Sequence, residues 1–188
     1  MLYAGAKRTI NQMRYPVYKI ANTLKGEVIM SMEIFHKIRE MGKELKEKRR
    51  DEKIDYNYMT APCGLPCFEC YLYLSQFDQG MAETIAGVFN VSPEQIKCKG
   101  CRGEDGKCAH HTMECRVYKC IENTDMKTCA ECNDFPCEYL HPYRDQAEKW
   151  HNTKVYNLCR IKKLGLEKWA KDEAGGILDK YFYGTWTL

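Results

Sequence analysis

Eleven of the chain's twelve cysteines lie between Cys63 and Cys137. No other feature constrains the fold as tightly. Thiols buried in that number displace the larger side chains that fill a core, and exposed ones are an oxidation hazard. Three Cys-x-x-Cys pairs, Cys67/Cys70, Cys98/Cys101 and Cys129/Cys132, each aim two sulfurs at one point. That geometry suits a metal ion better than a disulfide. The first twenty residues have no continuous apolar stretch of the secretory kind, and no run of eighteen apolar residues occurs. The expectation is a cytoplasmic chain without membrane insertion, in a compartment where thiols stay reduced.

Local spacing sorts the thiols into three sets. Cys63, Cys67 and Cys70 form the first, Cys98, Cys101, Cys108 and Cys115 the second, and Cys120, Cys129, Cys132 and Cys137 the third. All eleven are candidate metal ligands. The first set needs a fourth donor, which any later cysteine can supply, and sharing between sets stays open because ligands interleave in cross-braced modules. His110 and His111 lie within the second set as further candidate donors or as residues that orient a thiolate. Cys159 stands apart in a helical apolar pattern and is expected to be a small buried hydrophobe. Thiolates in this setting hold zinc or iron–sulfur clusters. The expected cofactor is zinc in at least two sites, because the Cys-x-x-Cys-x-x-Cys run of ferredoxins is absent; [4Fe-4S] clusters are the alternative.

The rest of the chain reads as helical. Over residues 31–50, Ile34, Phe35, Ile38, Met41 and Leu45 recur at steps of three and four, giving one apolar docking face. Ser31 is a capping residue and basic residues close the run, which suits the macrodipole. Residues 77–90 read as a short helix. Ser92, Pro93 and Gln95 form a capping-box start for another, which delivers Cys98 and Cys101. After Pro142 a helical pattern is interrupted near Asn152, Gly165 and Gly175–Gly176. The fold class is therefore mainly α, with irregular, metal-stapled cysteine-rich loops and little β. Four parts are expected: 1–31, an N-terminal segment without clear pattern; 32–60, an amphipathic helix and linker; 61–142, the cysteine-rich metal module; 143–188, a C-terminal helical segment.

Charge narrows the partners. Residues 1–60 carry a net +5, residues 61–137 a net −4 and residues 138–188 a net +2, within an overall +3. Four thiolates around a divalent ion add a net −2, so two such sites bring the chain to about −1. The cysteine module has the wrong sign for a phosphate backbone, which argues against nucleic acid. Another protein is the expected partner.

The motifs "CGLPCFEC", "CKGCRG" and "CAECNDFPCEYL", in that order, resemble a bacterial and archaeal family of short cysteine-rich proteins of unknown function, regarded as zinc-binding. The resemblance covers roughly residues 61–140 and implies metal binding at the cysteines it contains, without supplying a reaction. The opening spacing of "CGLPCFEC" is also that of radical-SAM enzymes. Those need most of a strand–helix barrel after the motif and an aromatic residue before its third cysteine, where this chain has Glu69. No phosphate loop, dinucleotide fingerprint, zinc-protease motif or nucleophile–base arrangement occurs. A metal-binding accessory or interaction protein is the favoured class. An iron–sulfur protein that transfers electrons or supports a redox enzyme comes second, and an enzyme with an open metal site last.

Overall fold

A computed structural model describes residues 32–107, 115–140 and 150–183. The expectations for residues 1–31, including the Ser31 cap, and for Cys108, His110 and His111 lie outside these residues. Helix α1 (Met32–Lys48) covers the amphipathic stretch. Phe35, Ile38 and Leu45 are buried and Met41 packs beside them. Ile34, expected on the same face, is 38% exposed. It precedes Phe35 by a single position, so about 100° of helical rotation carries it off the buried stripe.

Helix α1 packs against α3 (Tyr71–Leu74) and α4 (Gln79–Phe89). Asp78 starts α4 by accepting a hydrogen bond from the Met81 N–H at 2.7 Å, and Asn90, left-handed at φ 54°, ends it. α5 (Pro93–Ile96) follows, and its Gln95 accepts from the Ser92 N–H at 2.9 Å, as the capping-box pattern predicts. Phe35, Ile38, Leu74, Met81, Ile85 and Ile96 are among the residues of this first core.

A second core is built round the cysteine loops. It takes Met59 from α2 (Tyr56–Met59), Leu65 and Phe68 from the first loop, and Val117 and Ile121 from α6 (Arg116–Ile121). Leu158 and Ile161 come from α7 (Lys154–Leu164), and Trp169 from α8 (Leu166–Trp169). Helices α7 and α8 thus share one apolar core with the cysteine-rich loops. The break expected at Gly165 is present, whereas the one expected at Gly175–Gly176 is not: Gly175 is right-handed helical at φ −62°, and the chain stays helical from Leu166 to Tyr183. A 3₁₀ turn spans Trp150–Thr153, Gly165 at φ 81° separates α7 from α8, and a π-turn at Ala170–Ala174 leads into α9 (Gly175–Tyr183). Among the described residues, the β content is one isolated antiparallel bridge, Thr60 with Pro66. Two ion pairs tie the halves: Arg39 to Asp179 at 2.8 Å, and Lys46 to Glu69 at 2.7 Å.

Candidate metal centre

The first loop is shaped by glycine and by helix α7. Gly64, at φ 85°, donates its N–H to the Ala61 carbonyl at 2.8 Å, and the Leu65 carbonyl accepts from the Ala61 N–H at 2.9 Å. A Cβ at Gly64 would stand 2.9 Å from the Leu158 Cγ, so α7 presses directly on the loop. The Asn157 amide donates to the Gly64 carbonyl at 3.0 Å. A 3₁₀ turn at Cys67–Glu69 then carries the first Cys-x-x-Cys pair.

The second loop closes on the first. Gly100, at φ 88°, sits where a Cβ would lie 3.5 Å from the Cys67 Cβ. The Cys101 N–H donates to the Cys67 sulfur at 3.4 Å. The third loop repeats the 3₁₀ turn at Cys129–Glu131, capped through Glu131, which accepts from the Thr128 N–H at 3.2 Å. Its Cys129 N–H donates to the Pro62 carbonyl at 2.8 Å, which seats the third loop beside the first.

The fold sorts the ten described thiols of this region into groups. Cys120, Cys129, Cys132 and Cys137 line one cavity of about 30 Å³, walled otherwise by apolar residues such as Val117, Met126 and Phe135. This is the third set read from spacing. The other two sets meet where the Cys101 N–H donates to the Cys67 sulfur, and ionised Cys63, Cys67 and Cys115 would each push the Cys101 thiol up further than burial alone. Cys70 closes the turn that begins at Cys67, its N–H donating to the Cys67 carbonyl at 3.0 Å, and the Cys98 N–H donates to the Leu72 carbonyl at 3.3 Å. Local spacing does not encode this contact between loops one and two. Helix α6 joins the groups, with Cys115 at its N-cap and Cys120 in its last turn. Cys159 is exposed on α7, against the expectation of a buried thiol, because Leu158 and Ile161 take the inward positions.

Burial dominates the thiol chemistry. It pushes Cys67 up to about 12, with the thiols of Cys70, Cys63 and Cys98 adding to the shift and the Cys101 N–H opposing it. Cys70 rises to about 11 and Cys129 to about 12, again chiefly through burial. Burial raises Cys63 and Cys101 too. The Lys154 ammonium, only 6% exposed on α7, opposes the rise at Cys63. Such thiols are neutral near pH 7 unless a cation compensates their ionised form. Among the described residues, no three cysteine, histidine, aspartate or glutamate side chains already converge closely enough to hold one ion. The donor set of the Cys120–Cys137 cavity nevertheless fits a soft or borderline ion, since it offers four thiols and room for about one small ion.

Three residues of this region escaped the sequence reading. Arg102 is marked only by being a cation beside Cys101 in an acidic module. Lys154 and Asn157 approach the first loop from a segment more than 80 residues later, and no local signal marks them.

The family model described as "Protein of unknown function (DUF3795)" matches residues 59–142. The match takes in all three loops and α6, and excludes α1 and α7–α9. No curated protein and no solved structure matches the chain. Among the described residues, no helix is long and apolar enough to cross a membrane.

Proposed function

We propose that the chain is a thiolate metal-binding protein, with zinc as the favoured ion in at least two sites, acting as an accessory or interaction partner of another protein. The observation that carries this reading is the set of four thiols, Cys120, Cys129, Cys132 and Cys137, around one small apolar-walled cavity. A zinc site with all four positions filled by protein is closed, and closed sites stabilise folds without doing chemistry. The second group would be built on Cys63, Cys67, Cys101 and Cys115, with Cys70 and Cys98 adjoining it. The chain's part in either site is to present sulfurs and exclude water. The bound ion would supply the positive charge that lets buried thiols ionise.

Elemental analysis and an absorption spectrum of anaerobically purified protein test the reading. Two or more zinc ions per chain, with no visible band, are expected. Iron with inorganic sulfide and a broad band at about 400 nm would replace zinc by clusters on the same ligands. No metal, with the cysteines in disulfides, would overturn the reading.

A further inference from the structure

The side chain of Arg102 lies where the three cysteine loops meet. It follows Cys101 directly, its Nη1 donates to the Thr60 carbonyl, and its Nη2 donates to the Lys127 carbonyl. Thr60 leads into Cys63, and Lys127 leads into Cys129. One planar guanidinium therefore holds the backbone of the loop that carries it, of the loop before it and of the loop after it. Thr60 is fully buried, so its carbonyl depends on a protein donor. The arrangement uses the two-pronged fork that distinguishes arginine from lysine.

Two further links cross the same seam. The Cys129 N–H is bonded to the Pro62 carbonyl at 2.8 Å, and α6 carries Cys115 to one thiol group and Cys120 to the other. Loading an ion draws the loops that carry its ligands onto one point. Loops pinned to a common guanidinium cannot draw together independently. Closing one thiol group therefore moves the backbone of the other toward its closed arrangement, and coupling of this kind acts in both directions.

We propose that Arg102 is a positioning residue that makes the two thiol groups load metal as one unit. This rests on the metal-binding reading above and adds to it a coupling between sites. For a two-site chain with equal intrinsic affinities, a tenfold coupling lowers the partly loaded species at half saturation from about half of the molecules to about a quarter.

The test is native mass spectrometry of the full chain, stripped of metal anaerobically and given zinc to half saturation. The wild type is expected to show mainly metal-free and fully loaded molecules. Arg102→Ala and Arg102→Lys are expected to raise the partly loaded share about twofold while reaching the same loading at saturation. The lysine variant keeps the charge but cannot span two carbonyls, and it carries the test if the alanine variant fails to fold. A residue that only stabilised the fold would lower total uptake without changing the partly loaded share. An equal share in wild type and both variants, with full uptake, would overturn the coupling and leave metal binding standing. A wild type that retains no zinc would sink both.

Discussion

At single residues, the clearest demands fall on two glycines with opposite surroundings. Gly64 is left-handed at φ 85°, and a methyl group there would stand 2.9 Å from the Leu158 Cγ. Gly64→Ala should cost about 1–3 kcal/mol, read as a lower midpoint in urea unfolding, from backbone strain and overpacking together. Gly87 lies exposed on α4, and a methyl group there would meet nothing within 4 Å, so Gly87→Ala should stabilise by about 0.5–1 kcal/mol. Equal midpoints for the two variants would disprove the close approach of α7 to the first loop. The thiols make a second demand at this scale. Cys67 and Cys129 are held near 12 by burial, above the ordinary thiol value of 9.0. In metal-free protein their folded forms keep protons that the unfolded chain releases. Their contribution is present below about pH 9 and is lost as pH climbs toward about 12. The urea midpoint of chelator-treated protein should therefore fall between about pH 7.5 and about pH 10. An unchanged midpoint would argue that these thiols are solvated.

Among the elements, α1 shows how far the sequence could be read. Its period of three and four placed Phe35, Ile38 and Leu45 inward, and they are buried. The same reading overextended to Ile34, because periodicity sets the centre of an apolar stripe more firmly than its edge. Phe35→Ala should cost about 3–5 kcal/mol in unfolding free energy, whereas Ile34→Ala should stay within about 0.5 kcal/mol. Similar losses from both would mean that Ile34 is also covered. Capping chemistry at Ser92–Gln95 and the break at Gly165 were legible for the same reason, since each is a property of a few adjacent residues, whereas Gly175 and Gly176 continue the helix instead of ending it. The third thiol set was legible too, as Cys120, Cys129, Cys132 and Cys137 sit within one short stretch and one cavity. The meeting of Cys67 with Cys101 was not, and neither were the roles of Arg102, Lys154 and Asn157. Those depend on which loops and helices meet, and a contact across 93 residues, such as Asn157 with Gly64, leaves no periodic trace.

The whole molecule divides by what holds each core together. The core of α1, α3, α4 and α5 is closed by ordinary apolar side chains such as Phe35, Met81 and Ile85, and among the described residues none of its buried members is a cysteine. The other core contains Cys63 and Cys129 among its buried members, and its remaining surface is completed by Leu158, Ile161 and Trp169 from the C-terminal helices. On the metal-binding proposal, loops without regular hydrogen-bonded structure depend on ions as anchors, so removing the ions should loosen the core they frame. Because α7 and α8 pack on those loops, they should loosen with them, and α4 should not. The measurement is amide hydrogen exchange of the full chain with and without a strong chelator. Protection is expected to fall in α7, α8 and the three cysteine loops, and to persist in the buried turns of α4 around Met81 and Ile85. Chelation that left α7 protected would show that the C-terminal helices fold without the cysteine loops. Loss of protection in α4 as well would show that the ion pairs Arg39–Asp179 and Lys46–Glu69 bind the two cores into a single cooperative unit.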